Sequence, residues 1–105
     1  MYELYQAEWC PFSHRVRQRL TELGVDFIAR QVPAEKADRT ALVERTGARE
    51  IPVLVAGDEI LAGPERIIPY LDRRHQRTPN SEKHRARDRD PEIAEEREEA
   101  RREFP

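Results

Sequence analysis

Past residue 75 this chain holds two large apolar residues, Ile93 and Phe104. The same 30 positions, 76–105, carry 8 Lys/Arg and 9 Asp/Glu. Trp9, Phe12, Phe27 and all three tyrosines lie before residue 76. A core needs apolar side chains at helix or strand spacing, and only the segment from Met1 to His75 offers them. The expectation is one small α/β domain over residues 1–75, followed by a charged tail over 76–105, disordered or a single helix. Arg73 to Asp90 lacks an apolar stripe. Pro91 marks a helix start for a segment running through Glu103. Glu98 and Arg102 fall i,i+4 on it, a favourable pair. A partner-binding helix there would have only Ile93, Ala94, Ala100 and Phe104 for apolar contact.

The charge balance excludes some functions. Lys+Arg number 19 and Asp+Glu 21, for a net charge of -2. Near-neutrality argues against general nucleic-acid binding. No apolar run approaches the ~18–20 residues needed to cross a bilayer. The opening segment, Met1 to Leu20, carries no basic region followed by an apolar stretch, so no signal peptide is expected. One cysteine forms no internal disulfide and no Cys-based zinc site. His75 and His84 sit in polar sequence without metal spacing, and no metal is expected. The expected setting is the cytoplasm, where a lone thiol stays reduced.

Between Met1 and His75 the periods alternate. Tyr2 to Gln6 reads as a short strand. Trp9 to Ser13 reads as a loop opening a helix, and His14 to Leu23 carries Val16, Leu20 and Leu23 at i, i+4, i+7. Gly24 stops it. Val25 to Val32 reads as a second strand, closed by Pro33. Ala37 to Thr46 reads as a weaker helix with Ala41 and Leu42 inward, ended by Gly47. Ile51 to Ala56 is a continuous apolar run, a buried strand. Gly57-Asp58 signals a hairpin turn into Glu59-Ile60-Leu61. Pro64 to Arg74 reads as a third helix with Ile67, Ile68 and Leu71 on one face, and Pro69 is expected to kink it. The order is β-α-β-α-β-β-α. It predicts a parallel first pair of strands, a later antiparallel hairpin, and a mixed four-stranded sheet with helices on both faces.

The chemistry concentrates in Trp9-Cys10-Pro11-Phe12-Ser13-His14-Arg15. It sets the only cysteine where a strand ends and a helix begins. First-turn N–H groups there are unpaired and partly positive, so they favour a thiolate. A thiolate is the attacking species in thiol–disulfide exchange. Pro11 fits the first helical position. The Ser13 hydroxyl is in reach of the sulfur, and Arg15 and Arg17 add positive charge. His14 lies one turn on and reads as a surface residue. No third group completes a protease-type Cys-His pair. Ile51-Pro52 opens an apolar strand with a residue that cannot donate to the ladder. A cis bond in a tight turn is one explanation; an ordinary trans proline at a strand start is the other.

These segments together resemble glutaredoxins and the thioredoxin-like N-terminal domain of glutathione transferases. Cys10-Pro11-Phe12-Ser13 is similar to the glutaredoxin motif with its second cysteine replaced by serine. Continued through His14-Arg15-Val16, it is also close to the start of dehydroascorbate reductases and omega-type transferases. Ile51-Pro52-Val53-Leu54 is similar to their cis-proline segment. Gly57 to Leu61, followed by a helix ending Tyr70-Leu71, resembles the transferase hairpin and third helix. The likeness covers residues 1–74 and implies a thioredoxin-like fold with a glutathione site. It implies Cys10 as the attacking thiol, Phe12 as the aromatic beside glutathione, and Arg15 as a cation near its carboxylates. Ile51 would pair its backbone with the cysteinyl unit, and Pro52 would be the cis-proline. Gly63 and Glu65 would face the γ-glutamyl end. The chain departs from transferases at Gly63-Pro64, where Pro64 offers no N–H, and from many glutaredoxins at Ala7, where they carry lysine. The transferases' helical domain has no counterpart in the charged tail.

The resemblance implies a monothiol oxidoreductase with glutathione as co-substrate and no metal. Its partners would be glutathionylated proteins or small disulfides, met as a monomer or weak dimer without nucleic acid or membrane. Three alternatives stand beside it. One is a non-catalytic thiol-binding module, or an iron–sulfur carrier in which two chains hold a cluster with two Cys10 thiolates and two glutathiones. Another is a transferase-like protein lacking the helical domain. A third is an adaptor acting through the tail.

Overall fold

The computed structural model describes residues 1–103. β1 is Tyr2–Gln6, α1 Pro11–Leu23, β2 Phe27–Gln31, α2 Thr40–Thr46, β3 Val53–Ala56, β4 Glu59–Ala62 and α3 Pro64–Arg74. α4 (Pro79–Arg89) and α5 (Pro91–Glu103) follow. The sheet order is β2-β1-β3-β4. β1 runs parallel to β2, with Leu4 opposite Ala29. β3 is antiparallel to β1 and to β4, with Leu54 between Leu4 and Leu61. This is the mixed four-stranded α/β sheet of the thioredoxin-like fold.

The core follows from strand alternation and helix spacing. Leu4 and Leu54 meet Val16, Leu20 and Leu23 of α1 and Ile67, Tyr70 and Leu71 of α3 in one buried cluster. Val53 and Val55 alternate to the reverse face and are buried as well. Glu3, also on that face, receives Arg45 of α2 at 3.5 Å. Helices thus lie on both faces.

Several boundaries differ from the sequence reading. β2 is Phe27–Gln31 against the expected Val25 to Val32, and β3 is Val53–Ala56 against Ile51 to Ala56. α1 starts at Pro11, three residues early, because Cys10 caps it and Pro11 fills its first position. The helix expected over 37–46 is split into a single 3-10 turn, Lys36–Asp38, and α2. Arg39 stands between them at φ -88°, ψ 43°, outside helical geometry. Its guanidinium turns back to the carbonyls of Pro33 at 2.8 Å, Ala34 at 3.1 Å and Arg49 at 2.8 Å. α3 keeps its expected span, Pro64–Arg74, with Pro69 inside it.

The tail is the largest correction. Its described residues form two helices rather than a disordered segment or one helix, and the first is docked. α4 lies along α1 through polar groups. The Ser81 hydroxyl is buried and donates to the Glu22 carbonyl. Arg85 donates to the Glu22 carboxylate at 2.7 Å, and His14 meets Asp88 at 3.2 Å. No apolar stripe announces such a contact. The local signal is a capping box between Thr78 and Ser81, with Pro79 at the first turn. Phe104 lies outside the described residues. His75 hydrogen-bonds the Tyr2 hydroxyl at 2.8 Å and stands edge-on to that ring.

Candidate active site

Cys10 is the N-cap of α1. Its sulfur accepts the Ser13 N–H at 3.4 Å, the bond a capping oxygen would make. The side chain is 5% exposed, so the sulfur sits at the surface under its neighbours rather than on it. Burial works against the thiolate. Hydrogen bonds from the Ser13 side chain and backbone and from the Phe12 backbone, with the charge of Arg17, outweigh it. The thiol pKa is lowered. The Ser13 hydroxyl accepts the Ala7 N–H at 3.4 Å, which fixes its oxygen beside the cap. Arg17 is fixed too, donating to the Ala7 carbonyl at 3.2 Å and pairing with Glu8 at 3.3 Å.

Two grooves lie near this point: Phe12 lines one, and Cys10 itself lines the other. The first, of about 300 Å³, is lined by Phe12, Ile51, Pro52, Gly63 and Glu65, among others. Five of the residues singled out by sequence therefore share one surface. The Ile51-Pro52 bond is cis. The Pro52 carbonyl accepts the Gly63 N–H at 3.0 Å, which ties the proline turn to the start of α3. Among the described residues, no hydrogen bond uses the Ile51 N–H or carbonyl. Gly63 has φ 88°, ψ 149°, a conformation that suits glycine alone. A Cβ there would overlap the Glu65 carboxylate, which folds back over it. Half of the Phe12 side chain is open to solvent beside this groove.

The second groove, of about 1140 Å³, is lined by Cys10, Pro11, Trp9, Arg15 and Arg17. Arg97 and Arg101 of α5 close its far side. Arg15 thus stands on this side of the cysteine, not with Ile51 and Pro52. It also borders a third cleft, of about 460 Å³, which reaches Glu65 between α1, α3 and α4.

Sequence reasoning passed over three features of the site. Trp9 is 64% exposed beside the cysteine, although composition groups it with the apolar residues of the domain. Arg39 is buried and holds Arg49, two residues ahead of Ile51. Nothing in a single sequence marks it, because its partners are backbone carbonyls. Arg97 and Arg101 carry a readable signal, an i,i+4 pair on one helix face, but only the docking of α4 directs that face.

The glutaredoxin family model matches residues 2–61. Over 61 residues the chain is 28% identical to glutaredoxin 3 of Escherichia coli strain K12, across 58% of this chain and 74% of that protein. Rice GST1, solved in complex with glutathione, superposes with a TM-score of 0.61 at 27% identity, covering 70% of this chain and 33% of its own. A glutathione S-transferase from Rhodospirillum rubrum F11 does so with a TM-score of 0.61 at 27% identity, covering 71% and 34%. Human glutathione transferase theta-2, at 22% identity and a TM-score of 0.64, shares the fold, over 70% of this chain and 31% of its own. The chain spans about a third of the length of these transferases. With most of its thioredoxin-like portion matched, from β1 into β4, this chain belongs to the glutaredoxin family.

Proposed function

We propose that this chain is a glutathione-dependent thiol–disulfide oxidoreductase that works through Cys10 alone. The observation that carries the reading is the sulfur at the cap of α1, with a lowered pKa, on the wall of the groove lined by Trp9, Arg15 and Arg17.

Each step balances. The Cys10 thiolate attacks the glutathione sulfur of a mixed disulfide. The old S–S bond breaks, and the substrate leaves as a thiolate that takes a proton from water. Cys10 now holds glutathione as a mixed disulfide. A second glutathione, as thiolate, attacks that glutathionyl sulfur. Glutathione disulfide leaves, and the Cys10 thiolate is restored. One free glutathione is consumed per turnover: its sulfur is oxidised to the disulfide level as the substrate sulfur is reduced to a thiol. The chain has one cysteine, so no intramolecular disulfide closes the cycle.

In this reading the groove at the cis-proline takes glutathione. Ile51 offers its backbone to the cysteinyl unit, Phe12 covers it, and Gly63 and Glu65 face the γ-glutamyl end. Arg15 does not line this groove; it lines the Cys10 groove and a cleft shared with Pro64 and Glu65. The partners are glutathionylated proteins or small disulfides, and the setting is the cytoplasm.

The test is turnover of the glutathione–2-mercaptoethanol mixed disulfide with glutathione, and mass analysis of the trapped adduct. Native protein should turn over and carry one glutathione on Cys10; Cys10→Ser should do neither. Activity retained in that variant overturns the proposal. The likeness to rice GST1 supports a second reading, a conjugating transferase. Thioether formation with 1-chloro-2,4-dinitrobenzene, without disulfide turnover, would select it.

A further inference from the structure

The chain is slightly acidic overall, with a net charge of -2, yet the groove beyond Cys10 is cationic. Arg15, Arg17, Arg97 and Arg101 line it against one carboxylate, Glu8. Arg97 and Arg101 lie one turn apart on α5, so both reach the groove from one helix face. Arg15 is exposed and has no ion pair among the described residues. Arg17 is held against Glu8 and the Ala7 carbonyl. Among the described residues Arg97 pairs with Asp88 at 3.8 Å, and Arg101 with Glu98 at 3.2 Å. The first is long and the second solvent-exposed, and such ion pairs contribute little and yield readily to a new partner. Exposed Trp9 forms an apolar edge beside the sulfur.

The size sets the class of occupant. About 1140 Å³ exceeds what a small thiol fills and suits a stretch of polypeptide. Resting on the oxidoreductase reading, which puts glutathione in the other groove, this one faces the leaving thiol. We propose that the α5 side of the site selects glutathionylated cysteines set in acidic polypeptide segments, with Arg97 and Arg101 as specificity-determining residues.

The experiment uses the full chain and two glutathionylated peptides of equal length, the cysteine flanked by glutamates in one and by lysines in the other. The expected kcat/KM favours the acidic peptide by about tenfold at low ionic strength. That preference should shrink as salt shortens the screening length to about 8 Å at 0.15 M. In R97Q/R101Q the ratio of the two peptides should fall to about twofold or less. Equal kcat/KM for the two peptides, or a ratio unchanged in R97Q/R101Q, overturns the proposal. Binding is measured separately with redox-inert versions of both peptides, serine replacing cysteine. Tighter binding of the acidic one supports the groove assignment, and equal binding overturns it. A native chain that fails to turn over the neutral glutathione–2-mercaptoethanol disulfide overturns the oxidoreductase reading instead, and the inert peptides still decide the groove.

Discussion

The Arg85 guanidinium of α4 closes on the Glu22 carboxylate of α1 at 2.7 Å, on the helix whose first residue follows Cys10. Glu22 is 5% exposed and would be costly to bury alone. Gln18 donates to it at 3.1 Å, and Arg19 lies at 3.5 Å. Its side chain and backbone together anchor the first tail helix to the domain.

That anchor is pH-dependent. Burial pushes the Glu22 carboxyl up, but hydrogen bonds from Arg85 and Gln18 and the charges of Arg85 and Arg19 outweigh it, and the pKa is lowered. A lowered carboxylate stabilises the fold above the ordinary glutamate value of about 4.3 and loses that contribution as pH falls through the folded value. Urea melts from pH 7 downward should show stability falling through that acid window. E22Q should cost about 1–3 kcal/mol at pH 7 and flatten the acid limb.

The thiol gives the second pH signature. Its lowered pKa means the thiolate is favoured by the fold. That contribution is complete above the ordinary thiol value of about 8.5 and fades as pH falls through the folded value. The rate of Cys10 alkylation by iodoacetamide should therefore titrate with a midpoint below about 8.5. S13A removes the hydroxyl but keeps the capping N–H. Its midpoint should move up without reaching that of unfolded chain, and alkylation at neutral pH should slow several-fold.

Arg39 is tested by size and by shape. R39M removes donors from three carbonyls at once and should cost about 3 kcal/mol. R39K keeps the charge but not the planar fork, and should recover little of the loss. Because Arg49 precedes Ile51 by two residues, KM for the glutathione mixed disulfide should rise in R39K more than kcat falls.

Gly63 should tolerate no side chain. G63A meets both an unfavourable backbone conformation and the Glu65 carboxylate, at about 2 kcal/mol in chemical denaturation. The double variant G63A/E65A relieves the overlap but not the backbone. It should regain part of that loss.

Much of this was legible in the chain itself. Tyr2–Gln6 and Pro64–Arg74 fall where alternation, the first-turn proline and the Ile67/Leu71 spacing put them. The meeting of Phe12, Ile51, Pro52, Gly63 and Glu65 was legible too, as a resemblance of motifs rather than from periodicity. What stayed hidden was polar. The Arg39 break in the second helix depends on backbone carbonyls just outside that helix, those of Pro33, Ala34 and Arg49, which no side-chain pattern marks. The docking of α4 depends on a serine, an arginine and a carboxylate that an apolar pattern does not register. Apolar spacing reports what must leave water, and a buried ion pair leaves water only because its partner is already there.

The cap at Cys10 carries a thermodynamic consequence of its own. When the sulfur joins a second sulfur, α1 loses a charged acceptor at its first turn, and the folded protein holds the thiolated form less well than the free one. The same preference makes Cys10 a good leaving group once it is part of a mixed disulfide. The folded chain should then have a more oxidising reduction potential than the same segment unfolded. Folding itself drives release, and the helix that positions the sulfur also limits how long it stays occupied.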